Sequence, residues 1–90
     1  MEPCAHKGKT PPCVNKIVIS NIKRVVYSIN DRDSRSSGKS YSILKSKKIK
    51  VKKNLLNHIS KLIYKNYFYS RLKNKPYIYG KLAISKDFYL

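Results

Sequence analysis

Two cysteines near the start of the chain, with prolines beside both, dictate a short reversing loop and the start of a helix. The segment reads Glu2-Pro3-Cys4-Ala5-His6-Lys7-Gly8-Lys9-Thr10-Pro11-Pro12-Cys13. Gly8 lets the loop turn back without a Cβ penalty, so that Cys4 and Cys13 can approach each other. Thr10 is a plausible N-cap and Pro11 suits a first helical position, which places Cys13 in the first turn. Exposed N–H groups and the helix dipole favour a thiolate there. Paired thiolates are soft ligands suited to zinc, and a catalytic zinc centre takes three protein ligands and leaves a fourth position for water. Cys4 and Cys13 supply two of the three. Without a further ligand, plain thiols or a labile Cys4–Cys13 disulfide stay open, with thiols or metal ligands the usual state in a reducing compartment.

Among zinc enzymes with two cysteine ligands, the deaminases add a His or Cys from a His-x-Glu segment, whose Glu shuttles protons between water and substrate. His6 is followed by Lys7-Gly8 and His58 by Ile59-Ser60, and the only Glu is Glu2. No general acid or base can therefore be assigned within the chain. His6 is the one residue placed to act as a makeshift third ligand, whereas His58 reads as a surface residue.

The same residues resemble a known family, the bifunctional riboflavin-biosynthesis deaminase–reductases. Glu-Pro-Cys-x-His-x-Gly-Lys-Thr-Pro-Pro-Cys is similar to the family's second zinc-binding segment. Ile22 to Tyr27 resembles its next strand, and Asp31 the Asp that opens the following loop. Gly38-Lys39-Ser40 through Ile49-Lys50-Val51 resembles its Gly-containing helix and last deaminase strand. Pro76 to Asp87 resembles the first strand of its reductase domain, with Lys81, Ser85 and Asp87 matching a Lys-x-x-x-Ser-x-Asp strand end. Phe88 departs from the pattern, since the family usually has Gly there.

The resemblance implies a partial three-layer, cytidine-deaminase-like α/β fold with a mainly parallel sheet, truncated at its N-terminus. Residues 1–72 would be the C-terminal part of a zinc deaminase domain, and residues 73–90 a linker and the first reductase strand. Cys4 and Cys13 would hold zinc, with the ligand His and its Glu lying upstream of Met1. His6 and Lys9 would face the pyrimidine and its ribose phosphate, and Ala83 would lie near the NADPH of the reductase. The implied reaction is hydrolytic deamination of a small phosphoribosylated diaminopyrimidine, followed by NADPH-dependent reduction of its ribosyl group. The chain by itself is expected to be inactive, and a complementing N-terminal segment or a second copy of the chain is the expected partner.

Charge offers a rival reading. Lys and Arg number 21 against 4 Asp and Glu, a formal charge of +17, which points towards a polyanion and a small basic nucleic-acid-binding protein. Most of the basic residues are Lys, and Ile, Asn and Tyr are abundant as well, so a composition bias towards A/T-rich codons accounts for the excess without any nucleic-acid partner. The densest run, Lys47 to Lys53, alternates with Ile49 and Val51 and reads as a half-buried edge strand with its charges in water. No apolar run is long enough to cross a bilayer and no export signal opens the chain, so a cytoplasmic location without membrane partners is expected.

Periodicity supplies the remaining elements. Val14, Ile17 and Val18 predict a helix over 11–21. Val25, Val26 and Tyr27 predict a strand over 24–29 covered on both faces. Residues 30–38 have no period and are rich in Asp, Ser and Arg, so they read as a loop. Ser36 or Ser37 would cap a helix to about residue 46 that buries Ile43 and Leu44, ahead of a strand over 49–53. Leu55, Ile59, Leu62 and Ile63 predict a helix over 54–69. Its flank of Tyr64, Tyr67, Phe68 and Tyr69 suits core or interdomain packing better than base stacking. A linker at Asn74-Lys75-Pro76 and a strand over 77–84 complete the expected order.

Overall fold

In the computed structural model, which describes residues 1–89, a two-stranded parallel sheet carries two helices on one face. The order is α1 (Cys13–Ile19), β1 (Arg24–Val26), α2 (Lys39–Ser46), β2 (Lys50–Lys52), α3 (Asn57–Ile63) and α4 (Lys65–Lys73). Arg24 pairs with Lys50, Val25 with Val51 and Val26 with Lys52. Parallel strands need a crossover between them, and α2 is that crossover.

Val14, Leu44 and Ile49 form the centre of the core, with Ile17, Val18, Val25, Ile43 and Val51 packed around them. The exit from α2 shows why this works. Lys48 turns left-handed at φ 60°, Ile49 N–H donates to Leu44 O at 3.0 Å and Lys48 N–H to Lys45 O at 3.0 Å. These are the two bonds of a Schellman ending, and the apolar contact that accompanies it joins Leu44 to Ile49 in the core. At the other end Gly38 has φ 73° at the helix cap, a conformation that favours glycine.

Several expectations are corrected. Neither α1 nor α2 has a side-chain cap: α1 starts at Cys13 behind Pro12, and α2 starts behind Gly38, so Thr10, Ser36 and Ser37 cap nothing. Strand β1 ends at Val26 and is covered on one face only, with Val25 half-buried and Arg24 and Val26 exposed. Strand β2 is likewise shorter than 49–53, although its exposed Lys50 and Lys52 around half-buried Val51 match the expected pattern. The helix over 54–69 is two helices broken at Tyr64, with Asn54 and Leu56 left-handed before it at φ 67° and 52°. Its apolar stripe is not buried: Leu62 is 74% and Ile63 72% exposed. A periodic stripe stabilises a helix only through what it packs against, and no described element covers this one.

The tail differs from expectation too. Residues 75–89 form no strand and are exposed, because a strand needs a neighbour to complete its hydrogen bonds. The chain spans 59 Å along its long axis against 26 Å across. No helix is long and apolar enough to cross a membrane among the described residues.

Candidate functional site

The N-terminal loop is bound to the segment that follows β1, and Glu2 is the anchor. Its backbone N–H donates to Ile29 O at 2.8 Å. Its side-chain Oε2 accepts the Asp31 N–H at 3.2 Å and the Gly38 N–H at 3.0 Å, so one buried carboxylate ties both ends of the 31–38 loop. Ser40 Oγ donates to Pro3 O from the first turn of α2. Ser36 Oγ accepts the Ala5 N–H at 3.2 Å and lies 2.7 Å from His6 Nδ1.

These bonds carry the two cysteines to the start of α1. Val14 N–H donates to Cys4 O at 3.2 Å, and Cys13 N–H donates to Cys4 Sγ at 3.1 Å. The loop therefore does bring Cys4 and Cys13 together. The expected helix-dipole activation of Cys13 is not found. Cys4 raises the Cys13 thiol pKa, first through a side-chain hydrogen bond and then through its charge, with burial adding to both. The backbone hydrogen bond to Cys4 and the charge of Lys16 act in the other direction and do not reverse this.

The other expected site residues separate into two groups. His6 is half-buried against Ser36, and Lys9 is exposed in the loop three residues after. Gly8 N–H donates to Thr10 O at 3.2 Å, which closes the reversal between His6 and the prolines. Ala83 lies far along the chain on the exposed tail, where Ser85 and Asp87 are hydrogen-bonded to each other in a turn. Ser85 is the main reason that the Asp87 carboxyl lies below its usual range. The structure does not bring this group to the cysteines.

Asp31 and Asp33 form the acidic rim of the loop. Asp31 Oδ1 accepts the Asp33 N–H at 3.0 Å and the Tyr67 hydroxyl at 2.8 Å. Asp33 Oδ1 accepts both the Arg35 N–H at 3.0 Å and Arg35 Nε at 2.9 Å, and Arg71 Nη2 approaches Oδ2 at 3.5 Å. The Arg35 bonds hold the Asp33 carboxyl well below the usual carboxylate range. Both acids are committed to loop structure, and no group of three His, Cys, Asp or Glu among the described residues could hold a metal ion. Behind the rim, a cavity of about 540 Å³ is lined by Arg32, Asp33, Ser70, Arg71 and Lys75.

Sequence reasoning missed Glu2, Ser36 and Tyr67 as organisers of the site. Their partners lie 29 to 36 residues away in the chain, beyond any local pattern. The one available signal was Glu2 itself, the only Glu in a chain of +17 charge, next to the cysteine motif.

No family model matches the chain. It is 37% identical over 87 residues to the riboflavin biosynthesis protein RibD of Bacillus amyloliquefaciens, covering 97% of this chain and 24% of that protein. Over 73 residues it is 45% identical to the diaminohydroxyphosphoribosylamino-pyrimidine deaminase of Buchnera aphidicola from Acyrthosiphon pisum, covering 81% of this chain and 49% of the relative. The structure matches Acinetobacter baumannii RibD, form 2, with a TM-score of 0.77 and 32% identity, over 96% of this chain and 24% of that one. The chain thus spans about a quarter to a half of the length of these relatives.

Proposed function

We propose that the chain, over the segment it spans, belongs to the riboflavin-biosynthesis deaminase family it resembles and carries two zinc ligands and the substrate-facing loop of a pyrimidine deaminase. The observation that carries the reading is the meeting of Cys4 and Cys13, whose backbone and sulfur contacts join a loop to a helix start. Without a metal the Cys13 thiol is raised by Cys4, first through a side-chain hydrogen bond and then through its charge. A dication offsets that charge, so the donor set fits zinc as two of its ligands. Bound zinc supplies the Lewis acidity that brings the pKa of a water towards neutrality.

In this reading Cys4 and Cys13 hold the metal. Lys9 offsets the charge of a substrate phosphate, and His6 makes a hydrogen bond to the pyrimidine. Glu2 serves structure, because its Oε2 is already engaged by two backbone N–H groups. The third ligand and the proton-shuttling Glu have to come from a His-x-Glu segment outside these 90 residues, and the chain alone is inactive. In this reading residues 1–72 form the deaminase part and residues 73–90 the linker and opening of the reductase part, on the likeness of the Cys4–Cys13 segment and of Pro76 to Asp87. Lys81, Ala83, Ser85 and Asp87 enter only as the opening of that reductase part.

Metal analysis tests the proposal. The purified chain, co-expressed with a segment carrying His-x-Glu, should contain zinc at one ion per complex, and Cys4→Ser or Cys13→Ser should remove it. The complex should release ammonia from the phosphoribosylated diaminopyrimidine while the 90-residue chain does not. Zinc-dependent ammonia release by the chain alone, or full zinc content in both variants, would overturn the proposal.

A further inference from the structure

The His6 ring is gripped at one nitrogen by a residue that nothing in the cysteine motif points to. Ser36 is fully buried. Its Oγ accepts the Ala5 N–H at 3.2 Å and lies 2.7 Å from His6 Nδ1. A serine hydroxyl has one proton to donate and can accept as well. If Nδ1 carried a proton, Ser36 Oγ would accept twice, from Ala5 and from His6, and its own proton would be stranded in the interior without a partner. Buried polar groups are seldom left in that state. The arrangement that satisfies every group has Ala5 donating to Ser36 and Ser36 donating to Nδ1.

We infer that Ser36 is a positioning residue that holds His6 as the Nε2–H tautomer, so that the ring presents a hydrogen-bond donor to the site. The inference rests on the reading of His6 as a substrate-facing residue and deepens it by fixing what His6 can recognise. A donor matches an acceptor on the pyrimidine, either a keto oxygen or an unprotonated ring nitrogen, and does not match an exocyclic amino group. Because Ser36 sits in the loop that Glu2 ties down at both ends, ring orientation is coupled to the fold of residues 31–38.

The ring nitrogens can be observed directly. In the metal-free, 15N-labelled chain, spectra that correlate the carbon-bound ring protons with both nitrogens identify the protonated one. A single pH of about 8.5 keeps an ordinary imidazole neutral. His58, exposed on α3, serves as the internal reference. The expected result is a His6 proton on Nε2 and an Nδ1 resonance displaced from that of His58 by its hydrogen bond. Ser36→Ala should bring the two Nδ1 resonances together, and Ser36→Thr, which keeps the hydroxyl, should preserve the displacement. A proton on His6 Nδ1, or a His6 Nδ1 that already coincides with His58 in the unaltered chain, overturns the inference even if the alanine variant fails to fold. Neither zinc nor turnover enters the measurement, so loss of the zinc reading would show in metal content and leave this result standing.

Discussion

Residues 1–52 and residues 54–89 use apolar side chains in opposite ways. In the first region Val14 and Leu44 are almost completely buried between two helices and a parallel strand pair. In the second, Leu62, Ile63, Leu72 and Ile78 are mostly exposed, although the first two share with Leu55 and Ile59 the spacing of an amphipathic helix. Side-chain composition does not separate the regions, since both are rich in Lys and aliphatic residues. Long-range hydrogen bonds do. Glu2, Ala5, His6 and Ser40 each reach across about 30 residues or more in the first region, while α3 and α4 are held to it chiefly through Tyr67 and Arg71. Periodicity thus reports the capacity to bury a face, and only a second surface turns that capacity into stability.

The largest expected effect follows from this contrast. Leu44→Ala deletes a fully buried side chain at the centre of the core and should cost about 2–5 kcal/mol, enough to unfold a domain of this size. Leu62→Ala, at a 74% exposed position, should stay within about 0.5 kcal/mol. Urea denaturation followed by circular dichroism gives both values. Similar losses in the two variants would mean that α3 is packed in solution and that the two regions do not differ as described.

What could be read from the sequence follows the same division. The Cys4–Cys13 loop, the core role of Leu44 and the exposed lysines flanking Val51 were legible because local spacing alone marks each of them, although Leu44 meets Val14 and Val51 pairs with Val25 only in the fold. The break at Tyr64 was not, because Leu55, Ile59, Leu62 and Ile63 have the right period for a continuous helix and nothing local announces that their face stays uncovered. The strand over 77–84 failed for the same reason, since no described strand lies beside it. At the site, the cysteine pair was visible, but its supports were not. Glu2, Ser36 and Tyr67 act through contacts with the 31–38 loop that only the tertiary fold creates.

A second prediction probes the seam of the first region by alkali. Tyr27 is buried where β1 ends, and burial, helped by the charge of Glu2, pushes its phenol up to about 12. Its hydroxyl has no partner among the described residues, so nothing there offsets the cost of a phenolate. A phenol whose folded pKa lies above its unfolded value, about 10, contributes stability that is fully present below pH about 10. That contribution is lost as the pH rises through about 12. Asp33 acts in the opposite sense. Its carboxyl is lowered by Arg35, so its contribution is present at neutral pH and fades as the pH falls below the ordinary carboxylate value of about 3.9. Stability curves against pH should therefore fall at the alkaline end in the parent, and Tyr27→Phe should flatten that fall while leaving the acid limb in place. An unchanged alkaline limb would place Tyr27 in contact with water and weaken the account of the first region as the buried one.

The smallest effect tests the tie between the regions. Tyr67 donates to Asp31 Oδ1 at 2.8 Å, and its ring packs against Phe68 at 5.9 Å between centroids. Burial is the main reason that the Tyr67 phenol is raised, with the bond to Asp31 adding to it, so the hydroxyl stays a donor across the neutral range. Tyr67→Phe keeps the ring and deletes only that bond, at an expected cost of about 1 kcal/mol for a partly exposed hydrogen bond to a carboxylate. If α4 is held to an independently stable first region, amide exchange should quicken across residues 65–73, with the amides of α1 and α2 unchanged. Faster exchange in α1 and α2 as well would show that the tie through Asp31 supports the loop carrying Ser36 and His6. In that case the uncovered half of the chain would help to hold the site in shape, and the boundary between the two regions would have to be redrawn around the 31–38 loop.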